Sequence, residues 1–354
     1  EVYLAKEGHN GLIGINFLEK IQIPTLPSIY GAILAGVDYI LMGAGIPARM
    51  PQVISDLSDN LDTSIPIKVA QSGDDEPIMS HFSPSQFANG EVSPKFKRPQ
   101  FLAIVSSATL ALHLSRSSFG SPDGFVVEAP IAGGHNAPPR GKTTFNEQGE
   151  PIYGVRDEID IEAISKIGLP FWLAGGYGSK EQVDLALSIG ATGVQVGTAF
   201  AFCEESGFES SLKTRVLESI KQGKAHVKTD PLASPTGFPF KVVNLEGTIG
   251  IKEIGDSRKR ICDLGYLREP YKKENGQVGY RCPSEPIEDY IKKGGTIEET
   301  IGRRCLCNGL VSGIGLEQVR KDGSKELPLI TAGDDLKYIL KFLKKGQSSY
   351  KAID

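Results

Sequence analysis

FWLAGGYGSKEQVDLALSIGATGVQVGTAFAF, residues 171–202, decides how the rest of the chain is read. An apolar run, Phe171 to Ala174, ends in Gly175-Gly176. A helix-patterned segment follows from Ser179 to Ser188, and a second apolar run, Gly193 to Val196, ends in Gly197-Thr198. This is strand, turn, helix, strand, turn: one βαβ unit. In a parallel α/β protein both turns lie at the C-terminal edge of the sheet. Gly residues there let backbone N–H groups approach an anion closely, so the two turns predict a shared phosphate site.

Working outward, the rhythm repeats. Strands are expected at Leu12–Phe17, Tyr39–Met42, Phe101–Val105 and Gly124–Glu128, with helices near 28–35, 51–57, 108–114 and 160–167. With the strands near 171 and 193 this makes six parallel-type strands. No GxGxxG turn follows a strand, which argues against a dinucleotide-binding Rossmann sheet. A TIM-type (β/α)8 barrel needs eight strands, so the chain reads as such a barrel lacking its first two. The polar stretch of about 65–98 interrupts the rhythm and is expected to be a surface insertion rather than a substrate lid. A last barrel helix is expected over 208–222. The texture changes near 228, dividing a barrel at 1–228 from a C-terminal extension at 229–354. The extension holds four cysteines and ends in a helix from Asp334 to Lys344, whose apolar face is expected to pack on the barrel.

Composition bounds the function. The 354 residues are 40% hydrophobic and 23% charged, with a formal net charge of −4, which argues against nucleic acid or an anionic membrane as the main partner. No apolar run approaches the roughly 20 residues that span a bilayer, and no signal peptide opens the chain. Five cysteines, an odd count, suit a reducing compartment, so a cytoplasmic location is expected. Cys262, Cys282, Cys305 and Cys307 could give four thiolates to zinc or an iron–sulfur cluster, but they lack any CxxC knuckle, so reduced structural cysteines are expected over a metal site.

The loop after the Gly124–Glu128 strand carries the chemistry. Gly133-Gly134-His135 brings an imidazole, able to exchange a proton near neutral pH, to the edge where such barrels keep their active sites. The two glycines let the loop lie against a flat ligand, and Arg140 could face an acidic substrate group. The bland alternative is that His135 only hydrogen-bonds its own loop.

Gly133-Gly134-His135, LAGGYGS at 173–179, GVQVGT at 193–198 and GIN at 14–16 together resemble the FMN-dependent nitronate monooxygenase (2-nitropropane dioxygenase) family, across roughly residues 11–230. The long Cys-containing tail looks like a subgroup near the flavin enoyl reductases. The resemblance implies FMN at the strand C-termini, its phosphate on Gly175, Gly176, Gly197 and Thr198. It also implies Asn16 and the Gly133-Gly134 loop against the flavin, and His135 as catalytic base or substrate contact. Several features depart from the family: nothing matches its PMA-type first-strand turn, Glu128-Ala129-Pro130-Ile131-Ala132 replaces the Gly-rich approach to the histidine, the rigid NAPPRG follows it, and Ser106-Ser107 ends its strand without the Lys or Gln often seen there.

The expected activity is oxidation of nitronates or nitroalkanes with O2 as acceptor. The rival in the same chemistry is an NAD(P)H-dependent enoyl reductase. A rival of another class is a cofactor-free phosphate-binding isomerase or aldolase, and a third reading is a fragment left inactive by its unclosed barrel. The partners implied are a small nitronate or enoyl-type molecule and O2, and a homodimer is left open.

Overall fold

Apolar runs of three to six residues, each stopped by Gly, Ser or Glu, form the strands of one parallel sheet in the computed structural model, which describes residues 1–71, 77–91 and 94–354. The sheet strands are β1 (Gly14–Leu18), β2 (Tyr39–Gly43), β5 (Gln100–Val105), β6 (Gly124–Glu128), β7 (Phe171–Ala174) and β8 (Gly193–Gln195). They are hydrogen-bonded in the order β1-β2-β5-β6-β7-β8, every pair parallel. The six expected strands are therefore present and consecutive. The eight-stranded closure is not: among the described residues the sheet has six strands and is open between β1 and β8.

Both faces of the sheet carry apolar side chains, as a parallel sheet covered on both sides requires. On the convex face Ile40, Met42, Phe101, Val105, Phe125, Val127, Phe171 and Leu173 pack on Leu26, Ile29, Ile54, Leu57, Leu114 and Ile164 from the helices. On the concave face Leu102, Val126 and Ala174 pack with Leu41, Ile104 and Trp172. Helix starts are set by short polar side chains that accept from the first free backbone N–H groups. Ser107 Oγ accepts from Leu110 N at 3.1 Å, Ser179 Oγ from Gln182 N at 3.3 Å, and Asp160 Oδ1 from Ala163 N at 2.9 Å.

Within the stretch expected as an insertion, β3 (Thr63–Ile67) and β4 (Ile78–Phe82) form an antiparallel pair. Residues 72–76 and 92–93 of that stretch lie outside the described ones. The pair packs on the convex side, where the Phe82 ring lies 5.2 Å from the ring of Tyr30 on helix Thr25–Leu34.

The extension adds two antiparallel pairs, β9 (His226–Asp230) with β10 (Phe240–Asn244) and β11 (Glu269–Lys272) with β12 (Val278–Arg281). The boundary expected at 228 falls inside β9. The terminal helix is a 3-10 helix, Asp334–Phe342, rather than an α-helix to Lys344. Its Leu336 and Ile339 are buried with Leu212, Val216 and Leu217 of helix Ser210–Lys221 and with Val243 of β10. All five cysteines are free thiols. Burial pushes the thiols of Cys282 and Cys305 up to about 12 and about 11, which keeps them protonated. Among the described residues no three His, Cys, Asp or Glu side chains form a metal-ligand set.

Candidate active site

At the C-terminal edge of the sheet the ends of β6, β7 and β8 border a cavity of about 320 Å³. Its floor follows from strand register. Glu128 pairs with Ala174, and Ala174 with Gln195, so the three side chains stand in a row on the concave face. Ala174 is small, and the gap between its polar neighbours opens the floor. Above it, Gly175, Gly176 and Gly178 follow β7, while Val196, Gly197 and Thr198 lead from β8 into the short helix Thr198–Ala201. Gly133 and Gly134 form a third side.

The backbone explains the glycines. Gly175 and Gly176 have φ of +94° and +84°, the left-handed region that L-residues avoid. A Cβ on Gly175 would also sit 2.9 Å from Ile131 Cγ2. Gly197 is different: its φ is −104° and a Cβ there would meet nothing within 4 Å. Among the described residues, the N–H groups of Gly175, Gly176 and Gly197 donate to no protein acceptor. Three unpaired donors lining one cavity are an arrangement whose chemistry suits an anion.

The fourth side comes from the extension. Thr331, Ala332 and Asp335 line the cavity, 135 residues beyond Thr198 where Gly333 is tied: Gly333 N donates to Thr198 Oγ1 at 2.9 Å. Gly134 N donates to Thr331 Oγ1 at 2.9 Å, and Asp334 N to Ile131 O at 2.9 Å. Gly133 is required by this close approach, since a Cβ would stand 2.9 Å from the Ala332 carbonyl carbon. Lys241 anchors the segment. Its side chain is buried, and its Nζ lies 2.6 Å from both Asp334 Oδ2 and Thr229 Oγ1. Neither Glu128, Lys241 nor the 331–335 segment was singled out as part of a site by sequence. The available signal was Lys241 itself, a lone cation within the apolar run of β10.

The cavity holds two acids and, in its lining, no basic side chain. Burial, with no opposing hydrogen bond or cation, pushes the Glu128 carboxyl up to about 8, so it is protonated at neutral pH. Burial raises Asp335 as well, partly opposed by a hydrogen bond from the Thr198 hydroxyl. That hydroxyl is thus engaged on both sides by the extension.

His135 is placed differently from the expectation. It does not line the cavity. Its backbone bridges Phe240 of β10, its ring meets the Phe240 ring at 4.8 Å, and its Nε2 lies 2.7 Å from Ser234 Oγ, which in turn contacts Thr236 Oγ1 at 2.8 Å. Burial lowers the imidazole to about 4, so it is neutral at pH 7 but a weak base in this arrangement. Asn16 is also apart. It shares the concave face but is exposed on edge strand β1, three strands from β6, and does not border the cavity. Arg140 does not border the glycine cavity, and its guanidinium donates to the carbonyls of Ser106 and Arg156. Of the residues expected in the site, the structure gathers Gly133, Gly134, Gly175, Gly176, Gly197 and Thr198 around one cavity, and leaves His135 and Asn16 outside its lining.

These six residues fall within the segment that comparison with known proteins identifies. Residues 87–229 match the family model for nitronate monooxygenase. A probable nitronate monooxygenase of Staphylococcus haemolyticus is 32% identical over 119 residues, covering 33% of this chain and 32% of that protein. Its counterpart in Bacillus subtilis is 35% identical over 94 residues, covering 27% and 25%. The chain thus spans about a third or less of the length of these curated relatives. Among solved structures, the enoyl reductase domain of MlnA from Bacillus amyloliquefaciens aligns over 98% of this chain and 79% of its own, with 13% identity and a TM-score of 0.46. Among the described residues no helix is long and apolar enough to cross a membrane. Through residues 87–229, the chain is similar to the nitronate monooxygenase family.

Proposed function

We propose that the protein is an FMN-dependent oxidoreductase of nitronate monooxygenase type, acting on nitronates or nitroalkanes with O2, with FMN seated at the C-terminal edge of a TIM-type sheet. One observation carries this reading. The unpaired N–H groups of Gly175, Gly176 and Gly197 border one cavity inside the family-matched segment. The donor set fits a phosphate monoester, because backbone N–H groups bind the anion and the absent side chains allow close approach. Asp335, the discordant charge, is shifted toward its neutral form by burial, which lessens the conflict.

When bound, FMN supplies the electron transfer and the reaction with O2. The chain's own residues position and enclose. The Gly175–Gly176 turn and Gly197 hold the phosphate end, while the Gly133–Gly134 loop and the Thr331–Ala332 segment wall the cavity from water. In this proposal His135 accepts or orients the substrate proton, which requires its Nε2 to exchange Ser234 for substrate. Asn16 would contact the flavin only if the ligand extends across the concave face toward β1.

The rival reading in the same chemistry is an NAD(P)H-dependent enoyl reductase. The experiment is a visible spectrum of the purified protein followed by anaerobic mixing with NADPH. A flavin spectrum that persists until a nitronate is added supports the proposal, and rapid bleaching by NADPH supports the reductase. A colourless protein that cannot be reconstituted with FMN overturns both.

A further inference from the structure

Glu128 is the polar side chain at the cavity floor that the preceding account leaves without a task. It ends β6 on the concave face, in a row with Ala174 and Gln195. The residue as a whole is partly exposed, but its carboxyl is withdrawn from bulk water, and among the described residues it has neither a hydrogen-bond partner nor an ion-pair partner. It also borders a second, smaller cavity on its other side, of about 20 Å³. That volume is large enough for a single water. The lining of the small cavity includes Asn136, whose buried Oδ1 has no partner, and Tyr153, whose hydroxyl donates to Ala137 O at 2.9 Å. A carboxyl group placed between a ligand-sized cavity and a water-sized one, and paired with nothing, is poised for a bound molecule.

The charged and titratable groups facing it are few. Asp335 and Tyr177 face it across the larger cavity, and Arg140, Tyr153 and Asp157 border the smaller one. Arg140, the one cation among them, is taken up by backbone carbonyls, and Asp157 accepts from the backbone N–H groups of Arg140 and Gly154. Nothing in this set supplies the positive charge that a carboxylate at Glu128 would need.

We propose that Glu128 serves the glycine cavity as a neutral carboxylic acid, donating its O–H to an acceptor atom of the bound ligand, a carbonyl, nitronate or ring-nitrogen acceptor. A water in the Asn136 cavity would let the acid exchange its proton with the larger cavity filled. This adds a carboxylic-acid donor on the floor to a site whose other donors are backbone N–H groups, the Gln195 carboxamide and the hydroxyls of Tyr177, Thr198 and Thr331. It rests on the glycine cavity being the ligand site, and it deepens the flavin reading without depending on the choice of substrate. The raised proton affinity of the carboxyl, up to about 8, places the expected loss of that donor in mildly alkaline solution.

Two measurements on the full chain test it. In infrared difference spectra taken from about pH 6 to about pH 10, the wild type should lose a carboxylic-acid carbonyl band near the pH just named, and Glu128→Gln should lack that band. In FMN titrations, wild-type affinity should fall at least tenfold over the same rise in pH. Glu128→Gln, which keeps an N–H donor but does not titrate, should show a flat profile, and Glu128→Ala should bind more weakly than Glu128→Gln at every pH. Glu128 already ionised at about pH 6, or an alkaline limb that persists in Glu128→Gln, overturns the proposal. If wild type binds no FMN, the flavin reading falls, and the infrared titration alone decides whether Glu128 is the neutral acid.

Discussion

Gly197→Ala separates a glycine kept for a ligand from one kept for the fold. At this position φ is −104°, open to any L-residue, and an added Cβ meets no protein atom within 4 Å. The free protein should therefore tolerate alanine, with stability unchanged or raised by about 0.4–1 kcal/mol through the unfolded chain. If the Gly197 N–H and its neighbours hold a phosphate, the methyl group intrudes on that anion instead. Loss of one hydrogen bond to a charged group costs about 1.5–3 kcal/mol, which is a roughly 10- to 150-fold weaker Kd. Urea unfolding of flavin-free protein gives the first quantity, and quenching of FMN fluorescence on binding gives the second. Equal FMN affinity in the variant and wild type, with unchanged stability, would refute the placement of phosphate at this turn.

Gly175→Ala should behave in the opposite way. A φ of +94° and a 2.9 Å approach to Ile131 Cγ2 predict a loss of roughly 2 kcal/mol or more in flavin-free protein, since the left-handed region alone costs about 1–2 kcal/mol; denaturant unfolding checks it. For His135 the folded-state value of about 4 lies below the ordinary 6.5. The unfolded chain therefore binds the proton first as pH falls, and stability is lost from about pH 6.5 down to about pH 4. The shift corresponds to up to about 3 kcal/mol, and this acid limb should shrink in His135→Gln when unfolding midpoints at pH 7 and pH 4.5 are compared. His135→Ala should also lower turnover far more than FMN content; unchanged turnover would remove it from the mechanism. Lys241→Met deletes the contacts to Asp334 and Thr229 and should cost about 1–3 kcal/mol. It should also reduce FMN retention, because the wall from Thr331 to Asp335 loses its anchor; a thermal melt with flavin quantified before and after reads both.

Much of the sheet was legible because its signals are local. Phe171–Ala174 and Gly193–Gln195 are short apolar runs closed by glycine, and each becomes a strand whose C-terminal turn faces the cavity. Ser107, Asp160 and Ser179 mark helix starts in sequence and cap them in the structure. What sequence could not supply was distance. Thr331 and Asp335 reach the cavity only because the extension folds back over Gly133, and nothing near residue 331 announces that contact. Glu128 was visible as the end of an apolar strand, but its unusual proton affinity arises from burial without a partner. His135 was read from a motif that fixes where the backbone passes. The direction of its ring is decided by Ser234 and Phe240, about a hundred residues further along. The terminal helix was read from its apolar spacing, and the structure winds it more tightly, as a 3-10 helix.

The central claim is that the Gly175–Gly176 and Gly197 turns hold the phosphate of a flavin mononucleotide. The most direct test is the affinity of the flavin-free protein for FMN compared with riboflavin, which differs only in lacking that phosphate. Several charge-assisted hydrogen bonds at about 1.5–3 kcal/mol each predict that FMN binds at least a hundredfold more tightly. Equal affinity for the two would contradict it.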